Sequence, residues 1–320
     1  MIVVTGAAGF IGSCIVSKLN QDGENDIIIV DVLRKNDKWK NLRNLDYYDY
    51  LDRSQLLDYL KTHSNIEAII HMGACSVTTE TDSNYLMENN YRYTRDLADH
   101  CVKNKIRFIY ASSAATYGDG NMGYNDDENV LRKLQPMNMY GYSKHAFDLK
   151  ALREGWLNKI VGLKFFNVYG PNEYHKDDMV SVVYKAFNQI KEHGYVNLFK
   201  SHWPDFNDGE QKRDFIYVMD AVDIVLFFLK NKKKAGIYNV GTGKARTFKD
   251  LVSSTFSAMD LKPNIKYIDM PEEIRNRYQY FTEAKMNKIQ AAGYKNSPHS
   301  LEEGIKDYVQ NYLLKDIAHY

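Results

Sequence analysis

The run Ile2-Val3-Val4-Thr5-Gly6-Ala7-Ala8-Gly9-Phe10-Ile11-Gly12 opens the chain, an apolar-periodic stretch carries it to about Asn20, and Ile27-Ile28-Ile29-Val30-Asp31 follows. Short β-branched runs are the pattern of strands buried on both faces, and Ile11, Ile15 and Leu19 step along one face of a helix between them. The order is a βαβ unit. Gly6 suits the tight turn that leaves the first strand, Gly9 lets backbone N–H groups approach a pyrophosphate, and Gly12 lets the helix sit close on the strand. The positive end of that helix then faces the phosphates. Asp31 closes the second strand about twenty residues on, where a carboxylate can accept from an adenosine ribose hydroxyl. The glycine spacing alone is a weak signal; the strand before it, the helix after it and the acid at that distance make it a dinucleotide site.

Composition bounds the rest. The chain has 320 residues, 44% of them hydrophobic, enough for one large α/β domain or two unequal ones. Its 42 basic and 41 acidic residues leave a net charge of +1, so no excess field marks nucleic acid or an anionic membrane as partner. Cys14, Cys75 and Cys101 form no CxxC pair, which fits a reducing compartment and argues against a disulfide framework or structural zinc. The nine His show no ligand spacing with Cys or acids, and no metal site is expected. Met1 runs straight into the first strand, and no stretch approaches the ~20 apolar residues of a membrane span. A cytoplasmic protein is expected.

Farther along, Leu45 to Tyr50 reads as a strand, and Leu56, Leu57 and Leu60 mark a short helix. Ile66 to His71 is a buried strand that runs out into Met72-Gly73-Ala74-Cys75-Ser76, and in an open parallel sheet that edge lines the ligand crevice. A helix over about Asn84 to Lys103 leads to a strand from Ile106 to Tyr110, which ends in Ala111-Ser112-Ser113-Ala114-Ala115-Thr116-Tyr117-Gly118. After an irregular loop, a helix carries Tyr140-Gly141-Tyr142-Ser143-Lys144. Val161 to Phe166 is a sixth strand with Asn167-Val168-Tyr169-Gly170-Pro171 at its exit. Beyond it come a helix near Met179 to Lys191, a strand at Val196 to Phe199 and a loop from Ser201, and the strict alternation is lost. The fold class is α/β, a doubly wound parallel (Rossmann) sheet with a smaller, discontinuous C-terminal α/β substrate lobe. Residues 1–166 form the dinucleotide domain, 212–235 return to its sheet, and 167–211 with 236–320 make most of the lobe.

Tyr140 and Lys144 are four apart on a helix and share a face. A phenol is a poor base at neutral pH, but a cation ~4 Å away at an effective dielectric of about 20 contributes about 4 kcal/mol, close to three pKa units. That poises a tyrosinate near neutrality, where a general base works best. Ser113, at the preceding strand's end, offers a hydroxyl for the substrate oxygen. Arg213 either pairs with Asp214 or Asp220 or faces a diphosphate, whose oxygens its fork matches.

GxxGxxG, the Ser-containing strand end and YxxxK together resemble the extended short-chain dehydrogenase/reductase superfamily, which works on nucleotide sugars. More narrowly, Gly73-Ala74-Cys75-Ser76, the run from Ala111 to Gly118, Tyr140 to Lys144, Phe166-Asn167-Val168-Tyr169-Gly170-Pro171 with His175-Lys176, and Lys212-Arg213-Asp214-Phe215 resemble the ADP-glyceromanno-heptose 6-epimerase family. The likeness spans Gly6 to about Tyr278. It implies a catalytic set of Tyr140, Lys176, Lys144 and Ser113. It implies that the dinucleotide is held by Gly6, Gly9, Phe10, Ile11, Gly12, Asp31, Val32, Lys38, Arg53, Met72, Gly73, Ala74, Cys75, Ser76, Asn89, Lys144 and Val168. The sugar nucleotide, ADP-heptose, falls to Ser113, Asn167, Lys176, Asp178, Lys185, Phe199, Lys200, Ser201, Arg213 and Tyr278. The implied reaction is redox inversion at C6 in the supply of lipopolysaccharide core heptose, with NADP favoured over NAD, in a homo-oligomer of expected pentameric size. Asp177-Asp178 and a long Ser201 to Gln211 loop depart from the family pattern. The rival readings are a 4-epimerase or 4,6-dehydratase of another nucleotide sugar, and a non-catalytic dinucleotide sensor. A dehydratase wants an acid pair beside the Ser-Ser strand end, which is missing here, and a sensor has no need to keep both Tyr140 and Lys144.

Overall fold

The structure, a computed structural model, describes residues 1–275, 278–315 and 319–320. The opening βαβ unit folds as β1 (Ile2–Thr5), α1 (Phe10–Gln21) and β2 (Ile27–Asp31). Then come β3 (Asp49–Asp52), α2 (Leu56–Thr62), β4 (Ala68–His71), α3 (Ser83–Leu86), a π-helical turn over Met87–Arg92, α4 (Tyr93–Asn104) and β5 (Arg107–Ser113). The chain continues through α5 (Met139–Arg153), β6 (Val161–Phe165), β7 (Asn167–Tyr169), α6 (Val182–His193), β8 (Val196–Phe199), β9 (Lys212–Tyr217) and α7 (Val218–Lys230). It ends through β10 (Gly236–Val240), β11 (Ala245–Thr247), α8 (Phe248–Ala258), β12 (Ile265–Ile268) and short helices.

Seven strands pair in the order β10-β6-β5-β4-β1-β2-β3, all in parallel. Successive side chains serve opposite faces of a strand. Val4, Ile29, Ile70 and Ile109 pack into one apolar layer with α1 and α7, while Val3, Ile28, Ile69 and Phe108 pack into the other with α2, α4 and α5. Both faces are covered, which is why these strands carry no polar alternation.

Three expectations are corrected. The strand expected at Leu45 to Tyr50 begins only at Asp49, because the Leu45 N–H closes a tight turn onto the Leu42 carbonyl. The strand at Lys212–Tyr217 does not return to the main sheet. It pairs with β7 and β11, held there by the Asp214 carboxylate, which accepts from Thr242 N (2.7 Å), Gly243 N (2.9 Å) and Ala284 N (3.0 Å). The seventh main-sheet strand is instead Gly236–Val240, in register with Val161–Phe165, a segment assigned from sequence to the lobe. Periodicity marks both runs as strands and is silent on their partners. The helix after β9 does pack back, with Val222, Val225, Leu226 and Leu229 buried.

Candidate active site

Two clefts open along the C-terminal edge of the sheet, where ligands of this architecture bind. The first is built by the glycine turn. Gly6 has φ +66°, and a Cβ there would lie 2.7 Å from the Gly73 backbone; one on Gly12 would overlap the Gly6 carbonyl oxygen. α1 is capped by Gly9 with no side-chain bond, so the first N–H groups of Phe10, Ile11 and Gly12 are left for an anion. Asp31 sits opposite: Oδ2 accepts from Ala8 N (2.9 Å), and Oδ1 from Val32 N (2.7 Å) and Lys38 Nζ (2.5 Å). This cleft, of about 200 Å³, gathers Gly6, Asp31, Val32, Lys38, Arg53, Gly73, Ala74, Cys75 and Asn89 from the expected set, together with Arg34, Tyr85 and Tyr93. The Arg53 guanidinium stacks 5.5 Å from the Tyr93 ring centroid. Half-buried Met72, exposed Ser76 and half-buried Val168 line neither cleft.

His71 pins this edge. The Gly73 N–H donates to Thr5 Oγ1 (3.1 Å), Thr5 Oγ1 lies 2.6 Å from His71 Nδ1, and His71 Nε2 lies 2.9 Å from Thr94 Oγ1. The Thr94 hydroxyl spends its proton on the Asn90 carbonyl, so the ring donates from Nε2 and accepts at Nδ1. Burial, helped by Lys144, pushes the imidazole down to about 3. It is a neutral strut.

The second cleft, of about 310 Å³, brings together Ser113, Tyr140, Asn167, Arg213 and Tyr278. Ser113 ends β5 and lines this cleft together with the Tyr140 phenol, its hydroxyl accepting from Ala115 N at 3.1 Å. Asn138 caps α5 by accepting from Gly141 N at 2.7 Å, which fixes where Tyr140 leaves the helix. The expected depression of the phenol by Lys144 is corrected: burial pushes Tyr140 above its ordinary value, with Ser113 opposing. Lys144 turns its ammonium to the Ala111 carbonyl at 2.7 Å, and burial pushes it down to about 8 against the pull of Asp148 and Cys75. The two share a face of α5, but burial is the largest influence on each of them.

Arg213 is buried, with its guanidinium 5.2 Å from the Tyr278 ring centroid and 5.6 Å from that of Phe248. It donates to the Lys212 carbonyl and forms no ion pair among the described residues. The two carboxylates it was weighed against are taken: Asp214 by the turn after β10, Asp220 by His299 at 2.7 Å. A buried guanidinium without a counter-anion in a cleft wall is chemically suited to an anion.

Lys176 lines neither cleft; its ammonium lies 5.2 Å from the Phe10 ring centroid at the start of α1. Burial lowers its pKa, and Glu173 opposes the shift. The segment after it reaches the second cleft through Met179, whose sulfur accepts from the Thr78 hydroxyl at 3.9 Å. Asp178 and Lys185 meet away from the cleft, Lys185 Nζ donating to the Asp178 carbonyl at 2.6 Å. Phe199, Lys200 and Ser201 stand at the end of β8 beside the long loop, where Ser201 borders a separate cavity with Trp203. Sequence reasoning missed Thr78, Asn138, Gln279 and Thr282 in the second cleft. Asn138, a polar residue just before a helix, carried a readable cap signal; the others carried none. Among the described residues no cluster of His, Cys, Asp or Glu suits a metal ion, and no helix is long and apolar enough to cross a membrane.

A doubly wound sheet with an uncapped glycine-turn helix, an acid at the second strand's end and a Ser/Tyr/Lys group over the crevice defines a dinucleotide-dependent enzyme of the short-chain dehydrogenase/reductase type. The chain belongs to the NAD dependent epimerase/dehydratase family, whose pattern matches residues 2–241. It is 56% identical to an ADP-L-glycero-D-manno-heptose-6-epimerase of Fusobacterium nucleatum, covering 99% of each chain. It is 54% identical to that of Nitratidesulfovibrio vulgaris, covering 98% of each. The crystal structure of the Helicobacter pylori ADP-L-glycero-D-manno-heptose-6-epimerase superposes with a TM-score of 0.81 at 30% identity, over 97% of this chain and 95% of that one.

Proposed function

We propose that the protein inverts C6 of ADP-D-glycero-D-manno-heptose to the L-glycero epimer through a transient 6-keto sugar, using NADP. The observation that carries the reading is the second cleft, where Tyr140 and Ser113 face a buried, uncompensated Arg213. A neutral sugar hydroxyl suits the first pair and a diphosphate suits the third residue. The activity of the relatives supplies the identity of the sugar. NADP, held by Asp31, Lys38 and Arg53 of the first cleft and the N-terminus of α1, would supply the reversible hydride acceptor for C6.

The chain's own residues manage the proton and the geometry. Tyr140 exchanges the proton of the C6 oxygen, with Ser113 holding that oxygen in reach. One group on one side cannot serve both faces of the ketone, and Lys176, with an amine made easier to deprotonate by burial, is the second acid/base group. Arg213, Tyr278 and Asn167 hold the nucleotide end, while Asp178, Lys185 and Phe199 to Ser201, assigned to the sugar nucleotide by the family resemblance, stand outside the second cleft. The lobe comprises 167–217, whose last strand pairs with β7 and β11, and the chain after Val240. Lys176→Met is expected to lower turnover on the order of 10²-fold while changing cofactor affinity less than twofold or so. Equal losses in both would assign it to the dinucleotide instead.

NADP is favoured over NAD because Arg34, Lys38 and Arg53 surround one cleft, while the acid that discriminates against a 2′-phosphate is already neutralised by Lys38 at 2.5 Å. Calorimetric titration of apoprotein is expected to give the tighter constant for NADP; tighter NAD binding overturns the assignment. The reading extends to a cytoplasmic homo-oligomer that supplies heptose to a lipopolysaccharide core. Turnover of ADP-heptose with release of the L-glycero epimer tests the whole, and failure to act on it removes the substrate assignment.

A further inference from the structure

We infer that Asp148, backed by Lys164, is a positioning residue for the reaction: it clamps α5 onto β5 and supplies the buried counter-charge that keeps Lys144 in place one helical turn from Tyr140. The inference rests on the reading of Tyr140 as an acid/base group with Lys144 one turn along the same helix. Tyr140, Lys144 and Asp148 are spaced by four and share a face of α5. Asp148 and Lys164 are both fully buried, 2.8 Å apart. Asp148 Oδ1 accepts from the Tyr110 hydroxyl and Oδ2 from the Ser112 hydroxyl, each at 2.8 Å. Lys164 also donates to Thr116 Oγ1 at 2.5 Å and lies 5.0 Å from the Tyr117 ring centroid.

The strand segment from Tyr110 to Ser113 therefore holds the helix at every turn of the site. Tyr110 and Ser112, on one face of β5, take Asp148; the Ala111 carbonyl between them takes Lys144; Ser113 lines the same cleft as Tyr140. Folding alone does not require a charge there, since buried ion pairs can be replaced by apolar groups with little loss. A carboxylate one helical turn from the only ammonium on this face of the helix does electrostatic work that an apolar pair cannot. Lys144 faces Asp148 on its own helix, Cys75 from the loop after β4 and His71 from β4. Asp148 faces Tyr110 from β5, Lys164 from β6 and His145 on its own helix.

The test compares pH profiles of kcat and kcat/KM for the cofactor-loaded enzyme. The parent is expected to lose activity on a basic limb as Lys144 gives up its proton. In the charge-free Asp148→Asn/Lys164→Met variant, turnover falls on the order of tenfold or more, KM for the sugar nucleotide stays within about threefold, and the limb moves to lower pH by about one unit. Tyr110→Phe removes a donor and keeps the charge, and its limb moves the other way. Limbs that stay put, or that move together, overturn the inference and leave Asp148 a packing residue. Should the double variant not fold, Tyr110→Phe decides alone, an upward limb supporting the inference and an unchanged one overturning it. Parental activity in Tyr140→Phe overturns the underlying reading, and this inference with it.

Discussion

Tyr140→Phe lowers turnover by about 10² to 10⁴-fold while the protein keeps its fold and its dinucleotide. The ring sits in the wall of the second cleft, and the α5 cap at Asn138 does not involve the phenol oxygen, so a phenylalanine packs in the same space. What is lost is the oxygen beside Ser113 in the cleft that the proposed reaction uses to exchange the sugar proton. Burial holds that oxygen protonated in the free protein, so the phenol must give up its proton in the loaded site before it can accept the C6 hydroxyl proton in the oxidation step. Steady-state kinetics with ADP-heptose and a binding titration of the dinucleotide give both numbers. Turnover within a few-fold of the parent would remove Tyr140 from the chemistry.

Lys164→Met destabilises the fold by about 3–5 kcal/mol, because it strips the buried Asp148 of its cation and leaves two hydroxyl donors to carry a full charge. Methionine has nearly the volume of the lysine stem, so no cavity confounds the loss. The partner change Asp148→Asn made on top of it removes the stranded charge and recovers most of the stability, giving a coupling energy by double-mutant cycle. Urea unfolding measures all three variants. A loss under about 1 kcal/mol for Lys164→Met would mean that water or a side-chain shift solvates Asp148.

The main sheet was legible because its signals are local. The runs at Ile2, Ile27 and Val161 are β-branched or apolar, bounded by polar turns, and buried as read. Gly6 and Gly12 stand where only glycine fits. Pairing was not legible: β9 and β10 look alike in sequence, and Asp214 decides between them by capping a turn some thirty residues later. The shared helix of Tyr140 and Lys144 was legible as spacing, but the direction of the phenol's shift was not, since burial is a property of the whole fold. Asp148 and Lys164 lay hidden for the same reason. A lysine inside an apolar strand gives no sign, in sequence, that a carboxylate waits on the neighbouring helix.

The central claim is that hydride leaves C6 and returns to C6, so that the cofactor ends each turnover as it began and the hydrogen never becomes exchangeable with solvent. Base abstraction of an acidic C–H would wash solvent label in, but C6 of the heptose is not next to a carbonyl that would stabilise a carbanion. Running the reaction in D₂O with a trace of dinucleotide and examining the product by NMR tests this directly. The account predicts inversion at C6 with no deuterium there and no build-up of reduced cofactor; deuterium at C6, or reduced cofactor in proportion to product, would contradict it.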